Sequence, residues 1–418
     1  MGEDRTIAVI GTFDSKAEEH LFLRDAIQER GFKTVMVHLG TKGPSPFKAD
    51  LDLYAEVIAS NPQKDLGRDG AIELVIENAG KLIRDFYSQG CIHGLISAGG
   101  GTGTYISTAL MRLLPLGVPK VMVSTVASRD MSKTVGTRDI TMIHSVVDIL
   151  GVNSISGRVL DMAAGAVCGM AARQWDHACE KPRIAMSFFG FVTRAAENIR
   201  GYLEAQGYEV VPFHANGTGG TAMEELAAEG YFSGILDLAT HELADELMGG
   251  YCKGIKPNRL TSDKGKNIPR LVIPGGLDCA VFEFTRDSIP AEFADRKLFF
   301  YDFRSAIRLN YQETGAIAAQ LIDKLNAGTA PVKVFIPSLG WSEADGETCP
   351  LWDPEVSRSF VNAIRRGLRS DISVLESDSH INDPLFGGQA AEIMHGMVQQ
   401  SAAKACASDN TSAVRGAC

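Results

Sequence analysis

The stretch Gly94-Leu-Ile-Ser-Ala-Gly-Gly-Gly-Thr-Gly-Thr104 carries an apolar strand straight into six small residues, four of them glycine, with a helix expected to begin near Thr104. A strand that becomes a helix within so few residues belongs to an alternating β/α chain, and alternation means a mostly parallel, doubly wound sheet. The pattern recurs around it. Strands are expected at residues 6–11, 33–39, 92–98 and 120–125, with helices at 16–30, 69–89 and 104–114 between them. Residues 40–68 carry turn residues at Gly43, Pro44, Pro46 and Pro62 and read as an insertion or flap.

A helical run at residues 157–177, rich in Ala, Met and Gly, is followed by polar residues 176–182, which mark a domain boundary. A second alternation then starts, with strands at 183–189, 208–213 and 234–238 and helices at 194–206, 222–229 and 241–247. Later strands are expected near 270–273, 298–301, 332–336 and 372–375, and helices near 312–326, 354–368 and 384–400. The expected fold is therefore α/β: two Rossmann-like domains, residues 1–180 and 181–400, each a mostly parallel sheet flanked by helices, and then a disordered tail at 401–418.

Composition narrows the partners. A chain of 418 residues that is 45% hydrophobic and 22% charged is of the soluble globular class and long enough for two domains. Its net charge of −10 lacks the basic field of a dedicated nucleic-acid binder. No apolar run is long enough to span a bilayer, and Glu3 and Asp4 do not open a signal peptide, so cytoplasmic residence without a membrane partner is expected. The eight cysteines show no C-x-x-C pair or recurrent spacing, which suggests neither a zinc site nor a disulfide framework.

Glycine has no Cβ, so the turn Gly99, Gly100, Gly101, Thr102, Gly103, Thr104 lets a phosphate approach main-chain N–H groups and the free amides of the next helix. It is not a Walker loop, because Tyr105 and Ile106 stand where Lys and Ser or Thr are needed. Nor does it complete G-x-G-x-x-G, since Ile106 follows Gly101 and Gly103 where a third glycine belongs. A phosphate cradle and a ligand-free strand-to-helix turn remain the two readings.

Other strand ends carry polar chemistry. After the first strand come Gly11, Thr12, Asp14, Ser15 and Lys16: two hydroxyls and a cation for phosphate, and a carboxylate for Mg²⁺ or for capping the next helix. Ser124, Thr125 and Arg129 follow the fourth strand of the first domain, and Arg138 and Asp139 are candidates for the same crevice or for a surface ion pair. In the second domain His214 is a candidate acid or base, while Asn216, Thr218, Gly219 and Gly220 offer an oxyanion or second phosphate site. Asp278, after Pro274-Gly-Gly-Leu, is a candidate base or metal ligand. His241 with Glu242, shortly after Asp237, could bind a divalent ion, but the spacing is not diagnostic because H-E-x-x-H is absent, and capping is the expected role of Asp237 and His241. His380 precedes Asn382 and Asp383, the candidate N-caps of a helix opened by Pro384, and is a third catalytic candidate.

Five segments together, I-G-T-F-D-S-K at 10–16, S-A-G-G-G-T-G-T at 97–104, V-V-D-I-L-G-V-N at 146–153, F-H-A-N-G-T-G-G at 213–220 and H-I-N-D-P-L-F at 380–386, make the chain resemble one family. It is similar to the ATP-binding domain family of the tomato mosaic virus resistance protein, which has bacterial members of an uncharacterised protein family. The resemblance covers residues 6 to about 397 and implies two Rossmann-like subdomains, ATP binding by the first, and a homodimer or higher homo-oligomer. The plant protein's antiviral role is a lineage-specific use of a surface and is not carried over. Three functions compete: a Mg²⁺- and ATP-dependent transfer to, or activation of, a small carboxylate or sugar acid; a nucleotide-regulated binding module without turnover; and a lyase or hydrolase of a phosphorylated metabolite.

Overall fold

Strand β1 (Thr6–Gly11) buries every residue after Thr6, the pattern of a central parallel strand covered on both faces. In the computed structural model, which describes residues 5–61, 66–173, 181–261 and 267–415, it is one of six parallel strands of the first unit. The others are β2 (Lys33–His38), β3 (Leu51–Asp52), β4 (Gly94–Gly99), β5 (Lys120–Ser124) and β6 (Thr141–His144), in the order β3-β2-β1-β4-β5-β6. The helices are α1 (Phe13–Glu29), α2 (Gly67–Ser88), α3 (Gly101–Met111), the single turn α4 (Ser132–Val135) and α5 (Ser156–Ala172). Leu23 and Ile27 of α1 pack with Leu160 and Val167 of α5 on one face of the sheet. Val75 and Ile83 of α2 pack with Leu110 of α3 on the other.

The chain divides after Ala178 into two compact units. The second contains β7 (Arg183–Phe188), β8 (Glu209–His214), β9 (Gly234–Ala239), β10 (Arg270–Gly275), β11 (Cys279–Phe282), β12 (Leu298–Phe300), β13 (Ser305–Arg308), β14 (Val332–Pro337) and β15 (Ser373–Ser377). Six of these form a parallel sheet in the order β15-β14-β10-β9-β7-β8. Its helices are α6 (Thr193–Ala205), α7 (Thr218–Glu229), α8 (Glu242–Met248), α9 (Tyr311–Ala327), α10 (Pro354–Gly367) and α11 (Pro384–Arg415). The two-domain α/β expectation holds in both units. Strand order reverses between β1 and β4 in the first unit and between β7 and β9 in the second. Ligands of doubly wound sheets bind at such reversals, beyond the carboxyl ends of the strands.

Three elements differ from the sequence expectation. Within the expected insertion or flap at 40–68, of which 62–65 lie outside the described residues, β3 extends the sheet beside β2, and the Asp50 carboxylate accepts the Met36 N–H at 2.7 Å. The strand expected at 298–301 pairs antiparallel with β13 in a small three-stranded sheet, because local apolar content identifies a strand but not its partner. The last helix continues past Gln400 to Arg415, through a segment whose alanines favour helix. The polar boundary at 176–182 falls largely outside the described residues. Among the described residues, no helix is long and apolar enough to cross a membrane.

Candidate functional site

At the reversal of the first sheet, α1 and α3 both start within two residues of their strands, after β1 and β4. Thr104 N–H donates to the Gly100 carbonyl at 2.9 Å, the first intrahelical bond of α3. The amides of Gly101, Thr102 and Gly103 therefore lie ahead of the helix's own ladder, and no side chain caps them. They face a pocket of about 200 Å³ shared with Thr12, Asp14, Ser15 and Lys16 from the start of α1. The structure thus brings together the two segments expected to hold phosphate. A Cβ on Gly101 would meet no atom within 4 Å, and on Gly103 nothing nearer than Thr12 Oγ1 at 3.8 Å, so close approach of a ligand is what glycine permits here.

Two cations absent from the sequence reading line the same pocket. Lys42 follows β2, and Arg68, at the start of α2, donates to Thr102 Oγ1 at 3.1 Å. Asp14 accepts the Lys42 N–H on Oδ2 at 3.0 Å. Lys16 breaks the helical backbone angles of α1, and its ammonium donates to the Ile149 carbonyl, so its charge also fastens the 146–153 segment. Glu19 and Glu18 accept the Gly151 and Val152 N–H groups of that segment at 2.9 and 3.0 Å. Lys42 was detectable as a cation at a strand end; Arg68 carries no local signal, since only the fold returns α2 to the turn.

Several expected ligand residues have internal roles. Gly11 is glycine because of His20, whose Nε2 would lie 2.0 Å from an added Cβ. That buried imidazole is pushed down to about 4, chiefly by desolvation, and stays neutral. The hydroxyls of Thr104 and Ser124 pair at 2.7 Å inside the core and tie the turn to β5. Thr125 donates its N–H to the Gly99 carbonyl at 3.2 Å, beside Gly100, and Arg129 is exposed. Asp139 does not reach the crevice. It pairs at 2.7 Å with the buried ammonium of Lys120, at the opposite end of β5.

The second unit's small-residue loop is packed differently. Added Cβ atoms would lie 2.5 Å from the Lys253 carbonyl oxygen at Gly217, 2.0 Å from the His214 carbonyl oxygen at Gly219, and 2.4 Å from Glu242 Oε2 at Gly220. Asn216 Oδ1 accepts Thr218 Oγ1 and the Gly219 N–H, both at 3.1 Å. Partial desolvation lowers the pKa of the His214 imidazole against the pull of Glu242. Beneath the loop Arg259 bridges Asp237, Glu242 and Glu224 at 2.6, 2.9 and 3.1 Å, and Arg270 bridges Asp237 and Glu224. All five groups are buried. Asp237 is thus an ion-pair partner rather than a cap, and His241, at the head of α8, makes no capping bond.

Asp278 and His380 do come together, around Ser342. Ser342 Oγ donates to Asp278 Oδ2 at 2.8 Å, and His380 Nε2 lies 2.9 Å from the Ser342 carbonyl oxygen. Asp345, missed in the sequence because it lies 67 positions beyond Asp278 (345 − 278), completes the cluster with Arg308, its Oδ1 3.8 Å from Nη1. Asp278 Oδ1, Asp345 Oδ1 and Arg308 Nε are buried without a hydrogen bond. Burial, reinforced by the neighbouring Asp278, pushes Asp345 up to about 7, and burial raises Asp278 as well. Such a pair can hold and release a proton near neutral pH. Asn382 and Asp383 have capping roles: Asn382 Oδ1 accepts the Ala195 N–H at 3.1 Å and Asp383 Oδ1 the Leu385 N–H at 3.0 Å. A larger cavity of about 660 Å³ lies by Tyr208, Phe232 and the middle of α11, from Val398 to Lys404, and contains none of the expected site residues.

Comparison with known proteins bears on both units. Residues 5–176 match the N-terminal domain, and 181–398 the C-terminal domain, of an uncharacterised protein family, UPF0261. A UPF0261 protein of Clostridium tetani is 34% identical over 405 residues, spanning 95% of this chain and all of that protein. The tomato mosaic virus resistance protein Tm-1(GCR237) of Solanum lycopersicum is 34% identical over 304 residues, 70% of this chain but 40% of the tomato protein. A solved structure of a UDP-N-acetylglucosamine 2-epimerase homologue from Listeria monocytogenes covers 65% of this chain and 79% of its own, at 13% identity and a TM-score of 0.24. So loose a superposition adds nothing to the architecture described above.

Proposed function

The chain belongs to the uncharacterised protein family UPF0261, and for this member we propose a nucleotide-binding function in which the first unit takes the phosphates of Mg-ATP. The observation that carries it is the open glycine cradle at the sheet reversal, with three amides ahead of the α3 ladder and the cations Lys16, Lys42 and Arg68 around it. Helix N-termini and cations favour anions in such a crevice. The residues fit the group. Backbone N–H groups approach phosphate where glycine leaves room, and Arg68 offers a guanidinium fork. Asp14 keeps Oδ1 as one oxygen ligand for Mg²⁺, an ion that takes its remaining ligands from phosphate and water. Bound Mg-ATP would supply a transferable phosphoryl group, and we assign the chain to transfer to, or activation of, a small carboxylate or sugar acid. Positioning and cations are what that chemistry chiefly requires.

A second reading rests on size. A pocket of about 200 Å³ is smaller than the roughly 300–1,000 Å³ of sites that enclose a whole small molecule. It suits a phosphate group or chain, and a phosphorylated metabolite acted on without ATP fills it equally well. Thermal unfolding with Mg-ATP, ADP and inorganic phosphate separates the readings, because a ligand of the folded state alone raises the midpoint. A rise with Mg-ATP that is lost in a folded Gly101→Asp variant supports the nucleotide; a rise with inorganic phosphate alone supports the metabolite. No rise with any of them removes both.

A further inference from the structure

His241 is fully buried, and neither ring nitrogen has a hydrogen-bond partner. Its ring lies flat on Phe189, centroids 3.9 Å apart and planes 14° from parallel, so the face is filled and the nitrogen-bearing edge is directed elsewhere. Four residues on, Asp245 stands on the same side of the α8 segment. Past the helix, Cys252 returns to it. One ligand atom from each of His241, Asp245 and Cys252 lies within 4.8 Å of the others, and all three residues are buried. The geometry points to a metal site in the second unit, in which His241, Asp245 and Cys252 hold a transition-metal ion of the zinc class beyond the end of β9.

Hydrogen bonding alone accounts for only part of this cluster. Asp245 Oδ1 and Oδ2 accept the Val281 and Cys252 N–H groups, each at 2.7 Å. Those bonds orient the carboxylate and leave each oxygen a further lone pair. They do nothing for His241, whose two buried nitrogens are the kind of unpaired group that folded proteins avoid. A metal ion would give one of them a partner. Gly250 and Gly276 maintain the fit. A Cβ at Gly250 would stand 2.8 Å from Asp245 Oδ1, and one at Gly276 2.5 Å from the Phe189 ring.

Nitrogen, sulfur and carboxylate oxygen together select a borderline-soft ion over Mg²⁺ or Ca²⁺. Three protein ligands leave a fourth position open, the arrangement of catalytic zinc rather than structural zinc. The metal–sulfur bond forms as the Cys252 thiol releases its proton to solvent, with no change of oxidation state. Lying at the β7/β9 reversal of the second unit, the site uses none of the cradle's residues and does not depend on that reading.

The test uses the full chain stripped with chelator and titrated with Co²⁺ or Zn²⁺, both folded and during refolding from denaturant. The expected result is one cobalt per chain with a thiolate-to-cobalt charge-transfer band in the near ultraviolet. Cys252→Ser should remove that band, and His241→Gln should weaken binding more than tenfold. Absence of stoichiometric metal under both conditions overturns the site without recourse to any variant. So does a charge-transfer band that survives unchanged in Cys252→Ser.

Discussion

The loops after β4 and β8 are written in the same small-residue language, Gly-Gly-Gly-Thr-Gly-Thr and Asn-Gly-Thr-Gly-Gly, yet their glycines answer different needs. In the first, a Cβ at Gly101 would enter open space. In the second, Gly217, Gly219 and Gly220 sit against the Lys253 and His214 carbonyls and the Glu242 carboxylate. One loop leaves its first helix amides open to a pocket; the other consumes its freedom in packing onto a buried ion network. Gly217 N–H, for example, already donates to Glu242 Oε1 at 2.8 Å. A glycine-rich turn is therefore evidence for close approach, and only the neighbouring atoms reveal whether a ligand or the protein itself approaches.

The largest test of this contrast removes the network under the second loop. Arg259→Met leaves Asp237 and Glu224 with Arg270 alone and takes from Glu242 the arginine it pairs with, and urea unfolding should show a loss of about 3–5 kcal/mol. Gly219→Ala comes next, because the added carbon must displace the His214 carbonyl; about 1–3 kcal/mol is expected by the same measurement. A loss under 0.5 kcal/mol, on the order of an ordinary surface change, would show the loop to be loosely packed.

The next effect depends on pH. Asp345 shifts from an ordinary 3.8 to about 7 in the folded chain, so its stabilising share is full below pH 4 and is lost as pH rises through 7. Around it, the Asp278 charge disfavours its ionised form, while Arg308 and His380 favour it. Wild type should therefore lose stability relative to Asp345→Asn across that interval, as followed by unfolding midpoints. A difference that does not change with pH would contradict the buried acid.

Smaller effects are expected at the first loop. Arg68→Ala should weaken Mg-ATP binding about tenfold, the order of one lost charge-assisted contact, with the unfolding midpoint of the free protein unchanged. Gly101→Ala should alter stability by less than about 1 kcal/mol, in the stabilising direction for a helix residue, while reducing affinity in calorimetric titration.

Much of the architecture is legible in the sequence because apolar runs such as Ile7 to Ile10 and Leu95 to Ala98 end at glycines and lead into helices. The first loop is legible for the same reason, since cradle and strand are continuous in sequence. Arg68 and Asp345 are not. Each reaches its cluster from another part of the chain, by a fold-level return that no local spacing records. Lys16 shows the complementary limit: a cation in a first turn suggested a phosphate ligand, and the structure also commits its ammonium to Ile149.

Hydrogen–deuterium exchange of the full chain with and without Mg-ATP measures both loops in one experiment. The phosphate-cradle reading predicts slowed exchange in the peptide covering residues 99–104, none in that covering 214–220, and loss of the effect in Gly101→Asp. Unchanged exchange at 99–104 with saturating Mg-ATP, or slowing confined to 214–220, would contradict it.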